Sequence, residues 1–259
     1  MLQDLPYNLK AHLSPGAQII NSGLSIWRLE IPAGPANRYR LAQLDDYWSL
    51  PRSAFPWSPP LLLSLRARAS VKSIPGTWGF GLWNDPFSMG VLGGWGGLRL
   101  PALPNAVWFF SASPPNYLSL RNDLPPRGWV ATTFCSPKWR SVLLAPGALA
   151  LPLLLLPPAV QFFRRLASRI VQQDAVALSI DPTAWHSYQL AWAKTSVEFR
   201  VDDQVVLQTT NIPLERLGLV IWIDNQYAAI PPTGRLRYGF LSNPEPVWIE
   251  IGGLSVTPI

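Results

Sequence analysis

Side chains able to carry chemistry are few and widely spaced. The 259 residues hold one Cys, two His and 15 acidic residues, which leaves little for a metal centre built on soft ligands. In TWGFGLWND, Gly79, Gly81, Trp83 and Asp85 alternate with Trp78, Phe80 and Leu82, so one strand face would be a flat glycine floor ending in an indole and a carboxylate. Trp83 and Trp108 are candidate stacking surfaces for a sugar ring or an apolar ligand, with Asn84 as a neighbouring hydrogen-bonding group. Arg66 and Arg68 share a face in LSLRARASVK. They offer either a guanidinium pair for an anionic group or partners for Glu198, Asp224 or Glu250 across a sheet. His186 has no Ser or Cys nucleophile elbow near it, and Cys135 in ATTFCSPKW reads as an inert buried thiol. Asp45-Asp46 and Asp202-Asp203 suit turns and could help hold a structural calcium ion; no other cofactor is expected.

These residues need a scaffold, and the composition limits its type. Hydrophobic residues make up 48% of the chain and charged residues 14%, with 28 Pro and 13 Trp, which excludes disorder and argues against a helical bundle. A single Cys excludes an intramolecular disulfide framework. The net charge is +6, but the basic residues are scattered, with no run longer than Arg164-Arg165, so nucleic acid is not an expected partner. Read from Met1, the start MLQDLPYNLKAHLSPG lacks the basic and apolar regions of an export signal, and the expected location is cytoplasmic. The apolar stretch Val142–Val160 is interrupted by Pro146, Pro152, Pro157 and Pro158, so a transmembrane segment is not expected there. After it, Ala159–Gln173 places Phe162, Phe163, Leu166 and Ile170 at helical spacing and Arg164, Arg165 and Arg169 on the remaining face. That predicts one amphipathic helix packing by its apolar side, with a lid role or peripheral membrane contact through 159–173 as the alternatives.

Elsewhere the period is two. LLLSLRARASVK and SVEFRV alternate apolar and polar residues, with Asp202-Asp203 at a tight turn before QVVLQT. In LGLVIWIDNQY, Leu219, Ile221 and Ile223 oppose Val220, Trp222 and Asp224. SIWRLEI, YRLAQL, WGFGLWN, NAVWFF, WVATTF, WHSYQLAW, RLRYGFL and VWIEIGGLSV add further strands. The expected fold is all-β, a two-sheet antiparallel jelly-roll sandwich with one amphipathic helix in an insertion. Residues 1–16 are assigned to a loose leader and residues 17–259 to a single domain with an insertion at 142–175.

Trp185 to Thr209, WHSYQLAWAKTSVEFRVDDQVVLQT, resembles the strand, hairpin and strand of concanavalin A-like lectin/glucanase proteins, especially family 16 glycoside hydrolases. Leu63 to Pro86 is similar to the strands preceding that family's catalytic motif, and LGLVIWIDNQ and VWIEIGGLSV fit its later strands. The resemblance covers roughly half the chain in the correct order. It implies a concave groove faced by Trp222 and Asp224, with Asp224 and Asn225 as donors and acceptors for a hydroxylated ligand. It also implies a strand Glu-x-Asp-x-x-Glu, whose alternate carboxylates act as nucleophile and acid/base. NAVWFFSASP stands there instead, with Ala106, Trp108 and Ser111 or Ser113 near the acidic positions and no carboxylate between Asp85 and Asp123.

Two functions follow as expectations. One is a non-hydrolytic protein binding a carbohydrate or polyol through Trp83, Asn84, Trp108, Trp222, Asp224, Asn225, Arg66 and Arg68. The other is an intracellular isomerase- or cyclase-type enzyme, with an apolar substrate roofed by residues 142–175 and Asp224 or Asp85 moving a proton.

Overall fold

The computed structural model describes residues 6–23, 25–86, 99, 101–137, 153 and 155–259. In chain order these form β1 (Lys10–Leu13), β2 (Gln18–Asn21), β3 (Ile26–Ile31), β4 (Leu41–Asp45), β5 (Leu61–Ala69), β6 (Thr77–Trp83), β7 (Ala106–Ala112), β8 (Gly128–Cys135), α1 (Pro157–Ile170), β9 (Gln172–Ala177), β10 (His186–Trp192), β11 (Val197–Val201), β12 (Gln204–Thr209), β13 (Gly218–Asp224), β14 (Gln226–Ala229), β15 (Arg237–Phe240) and β16 (Val247–Pro258). The strands build two seven-stranded antiparallel sheets. The front sheet runs β1-β4-β13-β6-β7-β8-β9 and the back sheet β12-β11-β10-β5-β16-β3-β2, while β14 and β15 form a separate hairpin.

Alternation explains the packing between them. Leu61, Leu63, Leu65, Ala67 and Ala69 of β5 point inward, as do Val197, Phe199 and Val201 of β11, and meet Trp78, Phe80, Phe109, Leu219, Ile221 and Ile223 of the front sheet. Asp202 and Asp203 both adopt positive φ, 47° and 64°, the geometry of the two-residue turn expected between β11 and β12. β13 differs from an ordinary half-buried strand because all seven of its residues are buried. Its second face is covered by a separate apolar cluster in which Tyr47, Phe55, Val220 and Trp222 pack with Trp83, Trp108 and Phe110.

Three sequence expectations change. Residues 10–13 of the supposed leader form β1, hydrogen-bonded to β4 from Lys10↔Asp45 to Leu13↔Ala42, so this segment is an integral sheet edge. Gln172 to Ala175 of the supposed insertion belong to β9, paired with β8, while 142–152 and Leu154 lie outside the described residues. The helix exists with Arg165 and Arg169 exposed as expected and Phe163 and Ile170 half-buried, but it is turned about its axis so that one arginine and two apolar residues exchange places. Arg164 is buried with Val160, whereas Phe162 and Leu166 face outward. The inward arginine is accommodated because its guanidinium donates to the Ser119 and Ile230 carbonyls and to Asn122 Oδ1, above the Tyr117 ring. No helix among the described residues is long and apolar enough to cross a membrane.

Candidate functional site

On the outer face of the front sheet, register stacks the side chains in rows. Trp222 lies opposite Gly79, which lies opposite Phe110; Val220 lies opposite Gly81, which lies opposite Trp108. The two glycines make room for the rings. A Cβ at Gly79 would come within 2.9 Å of the Trp222 ring, and one at Gly81, whose φ is +152°, within 2.4 Å of Trp108 Cβ. Trp108 then packs against Trp222 at 5.4 Å, Trp83 at 5.5 Å and Phe110 at 5.6 Å between ring centroids. Above this aromatic floor is a cavity of about 280 Å³, walled by the segment from Asn116 to Arg127, by β14 and by the prolines Pro86 and Pro104.

Of the candidate residues, Trp83, Trp108, Trp222 and Asp224 line this cavity together. Asp224 is buried at the end of β13. Its Oδ1 accepts from Thr77 N at 3.1 Å, Thr77 Oγ1 at 2.8 Å and Gln226 N at 3.2 Å, and its Oδ2 from the Tyr39 hydroxyl at 3.2 Å. Trp222 Nε1 donates to Thr77 Oγ1 at 3.0 Å, so the carboxylate, the threonine and the indole hold one another in place. Burial pushes the Asp224 carboxyl up to about 6, against the hydrogen bonds from Thr77, Gln226 and Tyr39 that pull it back.

That elevation has a thermodynamic consequence. A carboxyl raised on folding binds its proton more tightly in the folded state. Its contribution is therefore fully present below about pH 4 and lost as pH rises through about 6, on the order of 3 kcal/mol in all. Urea melts of Asp224→Asn at several pH values are expected to lack this slope. Asp46, pushed up to about 7 mainly by burial, supplies a second slope at higher pH that the variant retains.

The other candidates lie elsewhere. Asn84 is spent on the chain, donating to Leu103 O at 2.8 Å and accepting from Asn105 N at 3.0 Å, so it braces the connection into β7 instead of meeting a ligand. Asn225 is fully buried, accepting from Arg40 N at 2.7 Å and donating to Arg38 O and Leu241 O. Asp85 is buried at 3.1 Å from the Arg99 guanidinium and does not line the cavity. Arg66 and Arg68 are on β5 of the back sheet, away from the cavity. There Arg68 and Arg28 both pair with the buried Glu250 at 2.7 Å, and Arg66 and Arg68 lie over the Trp185 ring. The pairing with Glu250 is thus present for Arg68, and neither arginine lines the front-sheet cavity where ligand binding was expected.

His186 is held between Asp202 and the Asp181 carbonyl on the back sheet. Burial pushes the Cys135 thiol up, as fits an inert thiol. The aspartate pairs act as turn and clamp residues. Asp45 accepts from Gln43, Tyr47 N and Trp48 N, Asp46 from Trp57 and Leu219 N, and Asp202 from Ser187 N. No group of three or more His, Cys, Asp or Glu that could hold a metal occurs among the described residues. Sequence reasoning missed Tyr39, Thr77 and Arg40. A Thr opposite an Asp in the β6–β13 register would have been visible only once those strands had been paired.

The sequence matches no known family profile and no curated protein. Solved structures do resemble it. The Bacillus licheniformis β-glucanase matches with a TM-score of 0.53 at 10% identity, covering 100% of this chain and 96% of its own. The Bacteroides ovatus mixed linkage glucan GH16 protein in complex with a G4G4G3G product gives 0.52 at 8% identity, covering 98% and 96%. LamAcat from Zobellia galactanivorans gives 0.50 at 11%, covering 98% and 92%. The fold is the concanavalin A-like jelly roll of these glucanases. At such identities the likeness is one of fold.

On this jelly roll, β7, the strand expected to carry the acids, turns Ala106, Trp108 and Phe110 to the cavity. Ser111 has the parity of the core residues Val107 and Phe109, and Ser113 lies past the strand end, accepting from Gly76 N. Asp224 is the one carboxylate among the described cavity-lining residues. Outside the described residues only Asp4 is acidic. On the same face, Asp45 pairs opposite Val220 and Asp224 opposite Leu41, which separates the two carboxylates by four residues, roughly 13 Å along the sheet.

Proposed function

We propose that this protein binds one small, largely apolar, ring-bearing molecule in the front-sheet cavity and does not cleave glycosidic bonds. The observation that carries this reading is how the hydrogen-bonding capacity of the wall is used. Tyr39, Gln43, Thr77, Asn116, Ser119, Thr132, Asp224 and Gln226 each already have a protein partner, while the Trp108 indole N–H is buried without one. A sugar ring brings several hydroxyls whose lost hydration must be replaced by free donors and acceptors, and burying them without replacement costs about 1–3 kcal/mol each. A planar or alicyclic hydrocarbon framework needs only contact with the indoles. A polyol or oligosaccharide, the occupant expected from the resemblance, therefore fits less well than an apolar ring. Hydrolysis by a retaining or inverting route calls for two carboxylates about 5–9.5 Å apart, and the Asp45–Asp224 spacing exceeds that.

A thermal-shift panel tests the reading, with mixed-linkage and β-1,3 gluco-oligosaccharides in one arm and alicyclic or aromatic small molecules in the other. The apolar arm should raise Tm and the saccharide arm should not, and incubation with β-glucan should release no reducing ends. Stabilisation by oligosaccharides alone, or Asp224-dependent release of reducing ends, would overturn it.

One observation favours a second reading, proton transfer to an apolar substrate. Asp224 sits in the cavity wall and is pushed up to about 6, so about a tenth of it is protonated at pH 7, far more than of an ordinary carboxyl. Oδ1 accepts from three donors and Oδ2 from the Tyr39 hydroxyl alone, which leaves Oδ2 as the oxygen to carry the proton. Turnover that follows the ionisation of Asp224 and disappears in Asp224→Asn, with binding retained, would select this reading over simple binding.

A further inference from the structure

The outer surface of α1 is built against the usual rule for a packed helix: a charge is turned inward and large apolar side chains are turned out. Phe162 is 58% exposed and Leu166 42%, and just before the helix Leu155 and Leu156 are 87% and 55% exposed. Phe162 and Leu166 are four residues apart and so occupy one row of the helix surface. Arg165 and Arg169, also exposed, form the adjacent row. From Leu153 to Val171 the sequence contains three arginines and no acidic residue.

This orientation is fixed. The Arg164 guanidinium is tied to Ser119 O, Ile230 O and Asn122 Oδ1, and Pro157 packs against Gly234, so the helix cannot roll its phenylalanine row inward without breaking those bonds. An apolar row beside a basic row, on a helix too short to span a bilayer, is the arrangement of a helix lying in a membrane interface.

We propose that α1 docks this protein onto an anionic lipid surface. Phe162, Leu166, Leu155 and Leu156 enter the boundary between headgroups and acyl chains, and Arg165 and Arg169 meet the acidic headgroups. Charge decides the partner. A second copy of this chain would bring like-charged arginines to the same contact, whereas an anionic bilayer complements them. The proposal stands whether or not the cavity takes an apolar ligand. The two meet in the structure all the same, because Ser119 and Ile230, which anchor Arg164, also line the cavity.

The test uses the full chain without added ligand, sedimented with phosphatidylcholine vesicles and with vesicles in which about a third of the lipid is phosphatidylglycerol. Wild type should bind the anionic vesicles at least about tenfold more tightly than the neutral ones, and should be released as salt is raised. Phe162→Ser/Leu166→Ser should abolish binding, and Arg165→Glu/Arg169→Glu should remove the anionic preference, each with the melting temperature of wild type, since none of the four side chains is buried. Equal binding to both vesicle types, no binding to either, or anionic binding retained by both double variants would overturn the proposal. So would a wild-type dimer that the Phe162/Leu166 variant converts to a monomer, because the row would then be a contact between copies.

Discussion

Replacing Trp108 with leucine is expected to weaken binding of the cavity ligand by about tenfold to a hundredfold while leaving the protein folded. Trp108 is the ring on which the floor converges, packing on Trp83, Phe110 and Trp222 at once. Leucine keeps an apolar side chain above Gly81 but removes the flat surface and most of the contact area, a loss of about 1.5–2.5 kcal/mol to a stacked ligand. Because Trp108 is only half-buried and its Nε1 bonds to nothing in the protein, no internal hydrogen bond is lost with it. Isothermal titration of the best ligand from the thermal-shift panel reads the effect. An unchanged Kd in a variant of normal melting temperature would mean that the ligand sits elsewhere.

Arg40→Met should lower the unfolding free energy by about 3–5 kcal/mol, the largest stability effect expected from a single polar side chain here. Arg40 is almost fully buried. Its guanidinium donates to Asn243 Oδ1 at 3.0 and 2.7 Å, to Leu241 O at 2.9 Å, to Pro35 O at 2.9 Å and to Gly34 O at 3.1 Å. Methionine fills the space but leaves Asn243 Oδ1 and Pro35 O without these donors, and takes one donor each from Leu241 O and Gly34 O, which keep only Asn225 Nδ2 and Asn243 N. Burial lowers the Arg40 pKa, and the ring of neutral acceptors takes the place of a counter-ion. Urea denaturation monitored by Trp fluorescence gives the number, and a change below 1 kcal/mol would refute the clamp. The effect reaches the cavity because Arg40 N and O are both bonded to Asn225, the neighbour of Asp224, and Tyr39 precedes it.

Much of this fold was legible because alternation is a local signal. β5, β11 and β13 show their two faces in sequence, and Leu219, Ile221 and Ile223 are core residues as their spacing requires. The strands that escaped notice, β1, β2, β9 and β14, are short, half-exposed pieces whose patterns are too brief to stand out. In the site, parity correctly grouped Trp222 with Asp224 and set Trp83 on the glycine face. It could not show that Asn84 and Asn225 are consumed by backbone groups, since their partners lie up to 187 residues away in the chain. Arg66 and Arg68 were assigned to the groove because sequence gives the face of a strand but not the sheet it joins. The helix failed for a related reason. Hydrophobicity predicts Phe162 inward, and the acceptors of Ser119, Asn122 and Ile230, supplied by distant loops, turn Arg164 inward instead.

The glycine pair beneath the rings also limits how this lineage can vary. At Gly79 and Gly81 the bare backbone is the bed on which the floor rings lie, and a single methyl there already collides with Phe109 O, Trp222 or Trp108. Gradual retuning of the bore by small steps is closed off at those sites. At the floor itself, change comes by exchanging whole aromatic groups at 108, 110 or 222, in jumps the size of an indole or a phenyl, while finer steps are left to the aliphatic wall.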